Sequence, residues 1–270
     1  TELKKLYGDV LCDADWITKN FTWIGKLNNH IKYDKILNFG LGGRGIEANI
    51  RSLRAYSFDK KDLSNHLILM QIPDFRRVEV FKRVKKDGFD FWDDDVSQFE
   101  IMNHTSNWGM DKKTYEHYFK NFFDIDYYTY KLINEIYYIQ DYLELKGANF
   151  FVTLFPAKQN FDQIKTYFDF LLKKENEWYN FFKPIRSFYT KEQTPCKISN
   201  IIESLNWLIC EDYIEVYRKR YGSISGEELN KKRILHSSGL VKNDYHYNEF
   251  GNEILGEQYY GGLKKMGIVS

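Results

Sequence analysis

A chain of 270 residues with 39 Lys plus Arg against 38 Asp plus Glu carries a net charge of +1, so bulk electrostatics give no reason to expect nucleic acid or an anionic membrane as partner. Cys12, Cys196 and Cys210 are odd in number and show no C-x-x-C spacing, which argues against a disulfide framework and a zinc site, and no apolar run approaches the roughly 18 to 20 residues of a membrane span. The length can bury a substantial core, and an aromatic content of 18% supplies rings for dense packing or for stacking on carbohydrate.

Leu3 to Tyr7 is a short, partly apolar run that breaks at Gly8-Asp9, as a first strand ending at the carboxyl edge of a sheet does. Trp16, Phe21, Trp23, Ile24 and Leu27 follow at spacings that allow one helical face. Ile36 to Phe39 reads as a second strand, closed by the glycine cluster Gly40, Gly42, Gly43 and Gly45, and a helix is predicted from Ile46 to Tyr56. Such a loop brings backbone N–H groups close to a ligand oxygen. The glycine spacing of G-L-G-G-R-G departs from the dinucleotide fingerprint, and no acidic residue ends a following strand at the expected distance. A nucleotide-binding reading therefore has only the glycines behind it.

Leu67 to Ile72 is the clearest buried strand, stopped by Pro73-Asp74 and followed by Arg76-Arg77. Residues 82–126 are irregular, rich in charge and aromatics, and read as an insertion over the sheet's edge. The run Asp93-Asp94-Asp95 and His104 invite a metal-site reading, but consecutive acids point in different directions, so a solvated loop and no metal is the expectation. Tyr127 to Lys146 has helical periodicity through Leu132, Ile136, Ile139 and Leu143, with Gly147 as a stop. Phe150 to Phe155 is predicted as a fourth strand, Phe161 to Phe182 as one or two helices, Ile201 to Arg220 as another, and Glu249 to Lys264 as the last. Alternation of short apolar runs with helical segments demands crossover connections, which implies a central parallel sheet within a single domain spanning 1–270.

Ahead of the last helix stands N-D-Y-H-Y-N-E-F-G, in which Asp244 lies two residues before His246. A carboxylate that holds one ring nitrogen leaves the other free to face a substrate, the base-and-orienter half of a nucleophilic hydrolase. Three pieces then stand in order: G-D after the first strand, N-F-G-L-G-G after the second, and D-Y-H-x-x-x-x-G before the last helix. In that order the chain resembles the SGNH, or GDSL, hydrolase superfamily, in versions similar to those of phages and bacteria. The resemblance covers the frame of the whole chain. It implies an α/β, flavodoxin-like three-layer sandwich with a parallel sheet typically ordered 2-1-3-4-5, and reactive groups on loops at its carboxyl edge.

Carried over residue by residue, the resemblance makes Asp244 and His246 the orienting acid and base. Gly43 becomes the backbone oxyanion donor, and Asp9 the acid of the first motif. The family's nucleophilic serine corresponds to Val10, and its oxyanion Asn falls nearest Pro73, which has no N–H to donate. The implied activity is hydrolysis of small or glycan-borne esters without a cofactor, in a chain whose attacking atom is missing. Cys12 as a substitute nucleophile lies two residues too far along, and His246 activating water directly is the other catalytic route. The alternative is a non-catalytic binding or structural module, such as a glycan-binding or virion component with a protein assembly partner. The N-terminus lacks a signal-peptide core, so the expected location is cytoplasmic, or the virion if the protein is viral.

Overall fold

The computed structural model describes residues 22–38, 45–72, 77–81, 99–103, 112–121, 123–154, 161–182, 197–210, 216, 219–220 and 249–270. In chain order the elements are α1 (Trp23–Ile31), α2 (Ile46–Phe58), β1 (Leu67–Ile72), β2 (Arg77–Phe81), β3 (Phe99–Asn103), α3 (Lys112–Asn121) and α4 (Ile125–Leu145). Then come β4 (Asn149–Leu154), α5 (Phe161–Tyr167), α6 (Asp169–Phe182), α7 (Ile198–Ser204) and α8 (Glu249–Lys265). The described residues are mostly helical and include a small parallel sheet, and they group into two compact units with interleaved chain segments.

The larger unit, residues 39–155 and 162–207, is built on β1 and β4, which pair in parallel from Leu67↔Asn149 to Ile72↔Leu154. Parallel neighbours need a crossover, and α4 lies in the connection between them. Asp124 caps α4 by accepting from the N–H groups of Asp126 at 2.9 Å and Tyr127 at 3.0 Å. The helix buries Leu132, Ile133, Ile136, Ile139 and Leu143, and each such side chain contributes about 1.5–3 kcal/mol of apolar burial. It ends where the chain must turn back: Gly147 has φ +84°, a conformation that a Cβ would strain, and an added Cβ would also sit 3.3 Å from Ser64.

Three polar devices lock this unit. The Lys146 ammonium donates to the carbonyls of Ser57 at 2.6 Å and Lys60 at 2.7 Å, placing a cation at the negative end of α2. On α4, Gln140 donates to the Ser204 carbonyl at 3.0 Å and accepts from the Asn206 N–H at 2.8 Å. These two hydrogen bonds fix the segment after α7, where Trp207 forms a parallel bridge with Val152. Glu175 on α6 accepts from both the N–H and the hydroxyl of Ser199 in the first turn of α7. The strands β2 and β3 form a separate antiparallel pair, in register from Arg77↔Asn103 to Phe81↔Phe99.

The smaller unit, residues 1–38, 156–161 and 208–270, centres on α1 packed against α8. Thr22 caps α1 through its hydroxyl, and Lys32, in the left-handed region at φ 61°, closes it with an N–H bond to the Asn28 carbonyl. The contact is close because Gly256 faces α1: a Cβ there would lie 2.8 Å from the Leu27 nitrogen and from Lys26 Cβ. Trp23 stands edge-on to Tyr259 with centroids 4.8 Å apart, and the Trp23 backbone N–H donates to Asn252 Oδ1 at 3.1 Å. Ile254, Leu255, Tyr259 and Leu263 are fully buried along α8.

Three expectations differ from the structure. Residues 35–38 form no strand; only Ile36 and Leu37 are apolar there, both half-exposed, and Phe39 lies outside the described residues. Helix α7 stops at Ser204, not Arg220, because Leu205 turns extended at ψ 138° and the Asn206 side chain bonds the Phe150 carbonyl at 3.2 Å, drawing 206–207 alongside β4. The region 82–126, read as irregular, contains β3 and α3. The strand expected at 3–8 lies outside the described residues. Phe161 to Phe182 resolves into two helices meeting at the fully buried Phe168.

Candidate functional site

In the larger unit the carboxyl ends of β1 and β4 lie side by side, with Ile72 opposite Leu154 and Gln71 opposite Thr153. Open parallel α/β sheets bind ligands outside this edge, so it is the part of the described fold where a site is sought. The other ligand-facing feature of the sequence is the glycine cluster that feeds α2. That helix starts from Gly45 in extended backbone, φ −82° and ψ 178°, with no side-chain cap bond. Gly45 itself has no side chain to offer the first-turn N–H groups, and a helix N-terminus is a place where an oxygen from elsewhere can be received.

Glu47 lies in that first turn, and Tyr118 of α3 is close enough to feel it. Burial, and then the Glu47 charge, hold the Tyr118 phenol above its ordinary value, so it stays protonated and able to donate. Tyr118 belongs to an aromatic group with Phe119, Phe123 and Tyr128, whose ring centroids lie 4.8 to 6.2 Å apart. The residues from Lys112 onward, read from sequence as an edge insertion, thus bring rings to the start of α2.

In the smaller unit, α8 begins three residues after His246 and is held to α1 by the Gly256 approach and the Trp23–Asn252 bond. The stretch carrying Asp244 and His246 therefore leads directly into a well-packed helix. Asp244 and His246 themselves lie outside the described residues, as do Asp9, Val10, Gly43, Pro73, Cys12, Asp93-Asp94-Asp95 and His104. Cys210 is described and is no nucleophile: burial pushes its thiol up to about 12, with Lys265 only partly opposing, so the thiolate is absent near neutrality. Among the described residues, no group of three His, Cys, Asp or Glu side chains is placed to hold a metal, and no helix is long and apolar enough to cross a membrane.

Sequence reasoning passed over the Gln71–Thr153 pair and the Glu47–Tyr118 approach. Neither has a motif. The first needs the strand register and the second needs the position of α3. Compared with known proteins, the chain matches no family model, no curated protein and no solved structure.

Proposed function

We propose that the chain is an SGNH/GDSL-type ester hydrolase by descent, a deacylase of small or glycan-borne esters in which Val10 has taken the place of the serine. The observation that carries this reading is the segment G-D-V at Gly8 to Val10, standing ahead of a glycine loop and an Asp-x-His pair in the family's order. Valine offers only methyl groups, so the attack that begins acyl transfer has no oxygen to supply it. Pro73 at the nearest place to the second oxyanion donor removes a further contribution, about a hundredfold to a thousandfold in rate for one donor. What supports the α/β frame is the parallel pairing of β1 with β4 and the parallel bridge from Val152 to Trp207, each joined through helices. A flavodoxin-like sandwich formed as one domain of 1–270 is part of the proposal.

The expected behaviour is binding of an acylated small molecule or glycan with little turnover. Val10 and Pro73 together favour a second reading, a glycan-binding or virion component kept for binding or assembly alone, in the cytoplasm or the particle. Wild-type protein screened against 4-nitrophenyl acetate and butyrate tests the first reading. Hydrolysis barely above background is expected. Strong hydrolysis that Cys12→Ala abolishes would move the chemistry to that thiol and overturn the role given to Val10.

A further inference from the structure

Helix α4 buries one side in its own unit and turns an uncovered stripe outward. Along that stripe stand Tyr127, Lys131, Asn134, Tyr138, Asp141 and Leu145, separated by alternating steps of four and three residues, and none of them is buried. This is the a/d repeat of a helix that lies along another helix, with Lys131, Tyr138 and Leu145 at a and Tyr127, Asn134 and Asp141 at d. Tyr127 is 54% exposed, Tyr138 64% and Leu145 88%, the last being the most exposed large hydrophobic side chain among the described residues. Phe58 of α2, 76% exposed, stands at the Leu145 end, because Lys146 donates to its carbonyl at 3.3 Å. Single exposed rings are ordinary on a protein surface, but a heptad of exposed positions calls for a reason.

The order of residues along the stripe says which partner fits. In an antiparallel helix pair each a residue lies beside a d residue of the other helix, and a two-fold axis makes every such layer occur twice. With the axis at position 136, Tyr127 meets Leu145 of the second copy, Asn134 meets Tyr138, and Lys131 meets Asp141. The two charges of the stripe are thus opposite in sign and each five residues from the axis. A parallel pair would instead set Lys131 against Lys131 and Asp141 against Asp141, so the charges select the antiparallel arrangement. Both are available: Asp141 makes no hydrogen bond or ion pair among the described residues, and Lys131 has only a loose 3.9 Å contact with Glu135. Glu135 would come near its own copy beside the axis, where Arg54, also 3.9 Å away, and Lys131 offset its charge.

We infer that the α4 stripe docks a second copy of this chain, the two α4 helices running antiparallel about a two-fold axis at position 136. The two Lys131–Asp141 pairs set direction and register, while Tyr127, Leu145 and Phe58 supply the apolar contact. Helix α4 has 21 residues, so it is about 32 Å long and about 10 Å across, and a pair of them covers less than the about 1,200 Å² of a standard interface. The dimer is therefore weak and reversible, with a dissociation constant on the order of 10 µM. It lies apart from the proposed ester site and does not depend on that reading.

Sedimentation velocity of the full chain from about 1 to about 100 µM is the test, and wild type should pass from monomer to dimer across that range. Lys131→Asp puts two carboxylates in each charged layer and Asp141→Lys two ammonium groups, so each variant alone should self-associate at least about tenfold more weakly. Mixed in equal amounts, the two variants complement each other in both charged layers and should form a mixed dimer within about threefold of the wild-type affinity. A variant that had only lost its fold would not be rescued by mixing. Leu145→Ser, at the most exposed position, removes apolar contact from two layers without touching a charge and should weaken the dimer about tenfold. Wild type that stays monomeric at about 100 µM overturns the inference and leaves the stripe to a different protein. Self-association unchanged in Leu145→Ser or in the charge variants overturns it too, as does a mixture of folded charge variants that associates no better than either alone.

Discussion

Three glycines of α8 give one substitution three environments, and the contrast tests the α1–α8 packing that follows the Asp244–His246 stretch. At Gly256 an added Cβ would lie 2.8 Å from the Leu27 nitrogen and 3.0 Å from the Lys26 carbonyl carbon, backbone atoms that cannot step aside without moving α1. Overpacking of this kind costs about 1–3 kcal/mol, offset by about 0.8–1 kcal/mol because alanine is the better helix former. Gly256→Ala should therefore lose up to about 2 kcal/mol, or up to about 8 °C in Tm at about 2–4 °C per kcal/mol. Gly261 has nothing within 4 Å of the added atom, so Gly261→Ala should gain up to about 1 kcal/mol from propensity alone. Gly262→Ala should behave like Gly256→Ala, because its Cβ would stand 2.9 Å from the Ile209 carbonyl oxygen. Urea titration followed by far-UV circular dichroism measures all three. Stabilisation by Gly256→Ala equal to that by Gly261→Ala would refute the close approach.

Lys146→Met keeps the stem but removes the ammonium from the Ser57 and Lys60 carbonyls; a loss of about 1–3 kcal/mol in urea unfolding is expected, and no change would make that contact ornamental. Gln140→Leu strands the Ser204 carbonyl and the Asn206 N–H, so it should cost about 2–4 kcal/mol and raise hydrogen exchange at Asn206 ahead of the rest of the unit. Cys210 should resist thiol reagents in the native protein at neutral pH and react only on unfolding, as peptide mapping would report. Its raised folded value also sets a sign: the stabilisation is complete below the unfolded thiol's 9.0 and is lost as pH rises from there toward about 12.

The elements read correctly from sequence are those whose signals are local. Leu67–Ile72 is an uninterrupted apolar run with Pro73 behind it, and it is β1 to the residue. The long helix was legible because Leu132, Ile136, Ile139 and Leu143 repeat at helical spacing and Gly147 supplies the left-handed stop. The misreadings have tertiary causes. Ile201 to Arg220 carries a helical pattern, but Gln140, 66 residues away, captures the Asn206 N–H and the chain runs out beside β4 instead. Residues 35–38 have two apolar side chains and gain no strand from them. The β2–β3 pair joins segments with 17 residues between them, Phe81 to Phe99, a pairing that local periodicity does not encode. For the site, sequence offered motif residues that lie outside the described part of the chain. Thr153 passed as one β-branched residue among F-F-V-T-L until the register set it beside Gln71.

We propose that an acyl-transfer site lost its attacking atom at Val10. Hydrolysis of 4-nitrophenyl acetate by wild type, Val10→Ser, and Val10→Ser combined with His246→Ala tests it most directly. Wild type should sit near background, Val10→Ser should show a measurable gain held below a complete site by Pro73, and His246→Ala should abolish that gain. Robust wild-type hydrolysis that survives His246→Ala, or a Val10→Ser gain indifferent to His246, would contradict the account.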